Sequence, residues 1–365
     1  MGFNSRMRYD RGSVLLRVLE ATRRSNEYYY RRLLLQLALV LALLAVKAHC
    51  SRPEVRAGGG GGAAAAGRAK YVESTFRRHF WSTADADHYK LSEDGEEAEL
   101  VLDRVAASGF ASNTRYLFGR ISIQMKVHPG DSAGTVTTFY TSSLSGKHDE
   151  LDFEFLGNEV GKPYVLQTNV YASGVGDREQ RIKLWFDPTA DFHTYSIHWN
   201  KKIIIFMVDE TPIRIYKNNE DLGVPYPCRQ PMSVFASMWN GEDWATQSGA
   251  IKLNWSKSPF KARYRHYDVE GCEVPWYKGE VTPCTSRKSD VLLKRATIQH
   301  LNIEQLVRLQ WVTENMLVYD YCTDVYRYPK PHPECSRNSG LQDSGQDLEA
   351  SNNFFYLDPS HTSSW

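Results

Sequence analysis

Between residues 71 and 267 the chain reads as a run of short extended segments. In residues 120–127, Ile121, Ile123, Met125 and Val127 alternate with Ser122, Gln124 and Lys126, the period-two pattern of a strand that buries one face. Residues 195–199, 203–208, 234–239 and 251–255 are rich in β-branched or aromatic side chains and predict further strands. The pairs Pro129-Gly130, Asp187-Pro188, Asn218-Asn219 and Asn240-Gly241 mark turns between them. Many short strands with no helices interspersed predict an all-β fold, an antiparallel sandwich or jelly roll.

The alternation takes an unusual form in residues 148–158, His-Asp-Glu-Leu-Asp-Phe-Glu-Phe-Leu-Gly-Asn. On an extended strand Glu150, Asp152 and Glu154 project from one face, and Leu151, Phe153 and Phe155 from the other. A strand needing only a solvated face uses Thr, Ser or Lys more readily than acids, whose strand propensity is poor. Three acids side by side also repel one another, so the pattern points to a site. Two carboxylates on one wall suit cleavage of a glycosidic bond, one attacking the anomeric carbon and the other protonating the departing oxygen. Retention of configuration needs carboxyl groups about 5 to 5.5 Å apart, whereas positions i and i+4 of a strand lie about 13 Å apart at Cα. Long Glu side chains on a curved strand must close that gap. Asp152, between them, would hydrogen-bond to one carboxylate and drive the two ionisations apart.

The chain's 365 residues suffice for a full core, and 44 basic against 43 acidic residues leave no whole-chain electrostatic argument for a nucleic-acid partner. Its 21 Tyr and 9 Trp offer faces on which sugar rings stack. Residues 33–46 form an apolar run behind Arg31 and Arg32, the length of a signal-peptide core and short for a membrane span. A long polar leader precedes it, so residues 1–50 read as a signal peptide or an uncleaved signal anchor. Export is expected either way, and membrane attachment only if the segment stays uncleaved. Residues 51–70, with glycines from Gly58 to Gly62, read as a Gly/Ala-rich tether. Residues 338–365 are polar, without apolar period, and predict a disordered tail.

Four of the six cysteines come late: Cys272, Cys284, Cys322 and Cys335. In an exported chain their short spacings suggest local bridges, Cys272 with Cys284 and Cys322 with Cys335, among three possible connectivities. Zinc is the competing use, and no CxxC spacing supports it. Cys228 reads as a lone thiol, and Cys50 leaves with the signal or sits at its edge. Residues 302–314 place Ile303, Leu306 and Val307 at helical spacing behind a capping Asn302, so residues 271–337 read as a small bridged appendage with one helix. No metal, nucleotide or phosphate motif is present in the sequence, and no cofactor is expected.

The run of residues 148–158 resembles the active-site signature of plant xyloglucan endotransglucosylase/hydrolases, within glycoside hydrolase family 16. The resemblance extends from about residue 76 to 337. It takes in Tyr116-Leu117-Phe118-Gly119, Ser132-Ala133-Gly134-Thr135-Val136-Thr137, Leu166-Gln167-Thr168-Asn169-Val170-Tyr171, Leu184-Trp185-Phe186-Asp187-Pro188-Thr189 and Asp243-Trp244-Ala245-Thr246. Tyr319-Asp320-Tyr321-Cys322-Thr323-Asp324, Arg327-Tyr328-Pro329 and Glu334-Cys335 resemble the family's C-terminal extension. The resemblance implies a curved, concanavalin-like β-jelly-roll sandwich over residues 71–270, with a disulfide-pinned extension over 271–337. It implies a concave groove for a branched glucan, with Glu150 as nucleophile, Glu154 as general acid/base and Asp152 between them. By the same matching, Glu154, Gln167, Thr168, Asn169, Asp177, Arg178, Glu179, Asp243 and Trp244 would line the substrate subsites, with Arg327 reaching in from the extension.

The implied reaction is transfer of a xyloglucan fragment to a xyloglucan or oligosaccharide acceptor by a secreted enzyme of the cell wall and apoplast. The short loop between Val170 and Leu184 lacks the longer insertion of members specialised for hydrolysis, which favours transfer. Transfer requires acceptor subsites that outcompete water by positioning the nucleophile. The alternatives are a mainly hydrolytic endo-β-glucanase on xyloglucan or mixed-linkage glucan, and a lectin-like sandwich that binds without turnover. Two departures stand out. Asn158-Glu159-Val160 lacks the sequon common after the signature, leaving Asn254-Trp255-Ser256, on a predicted strand, as the sole one, and Ser248 replaces a usual sugar-contacting Gly.

Overall fold

The computed structural model describes residues 75–274, 284 and 286–338. The chain divides into two units, Met1–Lys70 and Tyr71–Trp365. The first lies wholly outside the described residues, and with it the apolar run, the tether and Cys50; so does the tail beyond Asn338.

The alternating segments become strands of an antiparallel system: β1 Phe80–Ser82, β2 Tyr89–Leu91, β3 Glu97–Leu102, β4 Ser108–Lys126, β5 Thr135–Ser142, β6 Glu150–Leu156, β7 Val165–Tyr171, β8 Gln180–Lys183, β9 His193–Trp199, β10 Ile203–Val208, β11 Thr211–Lys217, β12 Met232–Asn240, β13 Phe260–Val274 and β14 Leu317–Asp320. Their hydrogen-bonded order is β11-β10-β9-β4-β12-β5-β6-β7-β8-β14, with β1 and β13 also against β4, β3 against β13, and β2 against β3.

Two layers arise because β4 belongs to both. Its first part pairs with β12, Ala111 opposite Phe235, and its second with β9, Ile121 opposite Ile197. Between them Phe118 (φ 69°) and Gly119 (φ 149°) turn the chain. A Cβ on Gly119 would stand 2.6 Å from Gly271 Cα, so glycine lets β13 follow β4 around the bend. Aromatic side chains from the two layers meet edge to face in the core: Phe153 with Phe206 at 5.2 Å, Phe155 with Tyr195 at 4.9 Å and Phe110 with Tyr264 at 5.2 Å. The all-β jelly roll expected from the sequence is the fold found.

Among the described residues the α-helices lie outside the strand order: α1 Thr75–His79, α2 Arg287–Ala296, α3 Ile303–Asn315 and α4 Cys335–Asn338. The appendage thus carries α2 as well as the expected α3. The sequence hides α2 because Val291-Leu292-Leu293 is contiguous rather than periodic. In α3 Asn302 caps as expected, its Oδ1 accepting from Gln305 N at 2.9 Å, and Gln305 Oε1 accepts from Asn302 N at 3.1 Å to complete a capping box. Its inward face differs: Val312 is buried while Ile303 and Val307 are exposed. Residues 251–255 form no strand. Asn254 Oδ1 accepts from Ser256 N and Ser256 Oγ, a local turn that outcompetes ladder pairing and leaves Asn254 exposed. The bridges Cys272–Cys284 and Cys322–Cys335 both form.

One core group makes stability depend on pH. His198 on β9 is 8 % exposed and lies opposite Arg120. Burial, aided by that guanidinium, pushes its ionisation down to about 4 from 6.5. The unfolded chain therefore takes up a proton that the folded chain refuses, and stability falls as pH drops from about 6.5 toward 4. Replacing His198 with Asn is expected to flatten that part of the curve. Urea unfolding of both proteins at pH 7 and 4.5 reads the difference, and an equal acid loss in the two would contradict it.

Candidate active site

Strand β6 separates core from site. Leu151, Phe153 and Phe155 are fully buried in the core, so Glu150, Asp152 and Glu154 stand together on the opposite face of the layer. The strand's end is pinned by close packing. A Cβ on Gly157 would lie 1.9 Å from Ser132 O, and Thr246 Oγ1 donates to Gly157 O at 2.7 Å while accepting from Gly134 N at 2.8 Å. The stretch containing Asp243 and Trp244 is tied to the acid strand in this way.

Cross-strand register builds three rows on the acid-bearing face. Asp152 lies opposite Tyr140 and Asn169. Tyr140 lies opposite Phe235, the rings stacked at 5.1 Å, and the row continues through Ala111 to Trp81, which is 39 % exposed. Glu154 lies opposite Thr138 and Gln167, and beyond Gln167 come Arg181 and then Tyr319 of β14. Gln167 Nε2 donates to Glu154 Oε2 at 2.5 Å, and Arg181 Nε donates to Gln167 Oε1 at 2.7 Å. Glu150 lies opposite Ser142 and Tyr171. The His148 ring stacks on Tyr171 at 5.2 Å, with its Nε2 3.7 Å from Glu150 Oε2.

Of the other residues expected from the sequence, Asn169 reaches this face with its Oδ1 committed to Val170 N and Arg178 N. Asp177 and Glu179 converge on Arg327, whose Nη2 donates to Asp177 Oδ1 at 2.6 Å and Nη1 to Glu179 Oε2 at 3.0 Å. Asp243 is exposed and pairs with Lys252, and Trp244 packs by Trp239 over Val136 and Leu156. Gln247, Ser248 and Gly249 take successive left-handed φ values of 49°, 56° and 84°, a conformation that costs a non-glycine residue about 1–2 kcal/mol.

Two expected residues turn away. Thr168 lies opposite Phe153 on the core side, and Arg214 Nη1 donates to its Oγ1 at 3.0 Å. Arg178 is buried, its Nε donating to Glu334 Oε1 at 2.6 Å and its Nη1 to the carbonyls of Val175 and Gly176. The period-two rule places Thr168 correctly once Gln167 and Asn169 are assigned to the acid side. Nothing local in the sequence reveals Glu334, 156 residues on. Sequence reasoning also passed over Trp81, Tyr140, Phe235 and Arg181, whose shared face emerges only from register. Among the described residues no cluster of His, Cys, Asp and Glu is arranged to hold a metal ion.

A jelly roll with three acids on one strand face beside an aromatic row has the residues that a carbohydrate-active enzyme of the two-carboxylate type uses. Residues 76–257 match Glycosyl hydrolases family 16, and residues 287–335 match the Xyloglucan endo-transglycosylase (XET) C-terminus. Xyloglucan endotransglucosylase protein 34 of Populus tremula x Populus tremuloides is 49 % identical over 276 residues, 76 % of this chain and 92 % of that protein. Probable xyloglucan endotransglucosylase/hydrolase protein 5 of Arabidopsis thaliana is 48 % identical over 272 residues, 74 % of this chain and 92 % of that protein. The chain belongs to the xyloglucan endotransglucosylase/hydrolase family, within glycoside hydrolase family 16.

Proposed function

We propose that the protein cuts the β-1,4-glucan backbone of xyloglucan and joins the fragment to a second xyloglucan chain or oligosaccharide. The observation that carries this reading is the acid trio on one strand face, Glu150 and Glu154 half-buried either side of a buried Asp152, with Glu154 held by a hydrogen-bond donor on the neighbouring strand. The carboxylate of Glu150 attacks the anomeric carbon as the glycosidic C–O bond breaks, and Glu154 gives its proton to the leaving oxygen. An acceptor hydroxyl then loses its proton to Glu154 and displaces Glu150, restoring the original configuration. Gln167, Asn169, Asp243, Trp244 and the Asp177–Glu179–Arg327 cluster would contact the chains on either side. Only residues 172–179 separate β7 from β8, the short connection that favours transfer over hydrolysis.

Residues 71–270 would form the catalytic domain and 271–337 the extension, with residues 1–50 directing export and 51–70 as tether, so that the enzyme acts in the cell wall. No helix among the described residues is long and apolar enough to cross a membrane. Incubation with xyloglucan and a labelled oligosaccharide acceptor is expected to move label into polymer without new reducing ends. Reducing-end release without label transfer would mark a hydrolase, and binding without either would mark a lectin.

The aromatic row gives a narrower expectation. Covering a half-exposed indole with one sugar face removes some tens of Å² of apolar surface from water, about 1 kcal/mol at roughly 25 cal/mol per Å², and Trp81 stands several strands from the acids. Trp81→Ala should therefore raise KM for polymeric donor about twofold to tenfold with kcat nearly unchanged. A fall in kcat at constant KM would remove Trp81 from the binding surface.

A further inference from the structure

The row Glu154, Gln167, Arg181 and Tyr319 carries more than binding. Its members stand directly opposite one another on β6, β7, β8 and β14. A guanidinium has only N–H donors and accepts nothing. Because Arg181 Nε donates to Gln167 Oε1, the amide oxygen is committed to β8 and the NH2 group faces β6, where Nε2 donates to Glu154 Oε2. Arg181 is held in turn: its guanidinium lies 5.2 Å over the ring of Tyr319, whose hydroxyl donates to Asp324 Oδ2 at 3.0 Å. The C-terminal extension thus reaches the acid strand through a chain of contacts.

The geometry points to Arg181 as a positioning residue that, acting through Gln167, assigns the catalytic proton to Glu154 Oε1 and keeps it transferable. The inference rests on the proposed transfer reaction and deepens it. An oxygen that accepts the Gln167 N–H leaves the other oxygen to bear the proton. In the first half-reaction the Oε1–H bond breaks as the glycosidic C–O bond breaks and the Glu150 ester forms. The proton goes to the leaving oxygen, and the hydrogen bond at Oε2 strengthens as the carboxylate develops. In the second, the acceptor's proton returns to Oε1 while its oxygen displaces Glu150. Were the amide flipped, its oxygen would bond only the protonated form of Glu154, holding back the proton and opposing ionisation. Arg181 excludes that flip. The other titratable groups beside this row include Asp152 and Glu150 on the same strand, Tyr140 and Tyr171 on its neighbours and Lys183 on β8, with His148 beside Glu150 and Arg327, which pairs with Asp177 and Glu179, beside Tyr319.

Arg181→Met keeps an apolar stem over Tyr319 but removes the donor, whereas Arg181→Lys retains a partner that only donates. With the full chain, the pH profile of kcat for transfer is expected to show its alkaline limb moved up by about half a pH unit or more in Arg181→Met. The same variant should lose about tenfold in kcat at the optimum, with KM little changed. Arg181→Lys should return the limb to its wild-type position. In a Gln167→Met background, adding Arg181→Met should change nothing further, because the route is already cut. An unmoved limb in Arg181→Met, or the same effect with and without Gln167, overturns the relay. Side-chain 13C titration of Glu154 in the same variants follows the proton without turnover. Absence of transfer by the wild-type chain would sink the functional reading, while this titration still decides the relay.

Discussion

Glu150→Ala is expected to lower transfer from xyloglucan to a labelled acceptor by about 10⁴-fold or more. The size follows from the register of β6. With Glu150 gone, Asp152 sits in the next row, opposite Tyr140 and Asn169, and Glu154 in the row beyond, held by Gln167. Neither acid stands where Glu150 stood, beside His148 and opposite Tyr171. The variant should also be at least as resistant to unfolding as wild type, since it relieves like-charge crowding on one strand face. Equal concentrations of folded protein, compared in the transfer assay and by thermal unfolding, check both parts. Activity within tenfold of wild type would remove Glu150 from the nucleophile's role, and lost stability would show that the acids serve the fold.

The second large effect concerns the seam between the jelly roll and its extension. The Arg178 and Glu334 side chains are 4 % and 0 % exposed, and Glu334 precedes the bridge residue Cys335. Arg178→Met leaves the Glu334 carboxylate buried without its cation, at a cost of about 3–5 kcal/mol. The double variant Arg178→Met with Glu334→Leu should recover most of that loss, because an apolar pair of similar volume removes the stranded charge. Urea unfolding of the three proteins reads the effect. A loss below about 1 kcal/mol in the single variant, or none recovered in the double, would contradict the assignment. At low temperature, where both variants stay folded, transfer per folded molecule should persist, which separates a structural Arg178 from one that contacts substrate.

The acid trio and its apolar counterface were legible in the sequence because a two-residue period needs only one strand to be right. The same rule, carried across β7, puts Gln167 and Asn169 beside the acids and turns Thr168 inward. What the chain concealed depends on partners far away in sequence. The bend at Phe118 and Gly119, which lets one strand serve both layers, follows from Gly271 lying 2.6 Å from where a side chain would stand. The pairing of Arg178 with Glu334, and the placing of Trp81 in one row with Asp152, likewise exist only after strands are ordered. Residues 251–255 depart from their strand-like pattern for a local reason: their β-branched and aromatic side chains favour a strand, but Asn254 closes a turn on Ser256 that propensity does not weigh. In α3, apolar residues occupy both inner and outer positions, so spacing alone did not choose the buried face.

Transfer with retention through Glu150 requires a covalent bond between sugar and that carboxylate. In the Glu154→Ala variant, an activated xyloglucan-oligosaccharide donor whose leaving group needs no proton should load the enzyme, while discharge to an acceptor stalls. Mass mapping of the peptides should then place one glycosyl adduct on Glu150. An adduct on another residue, or product released from the wild-type enzyme with inverted anomeric configuration, would contradict it.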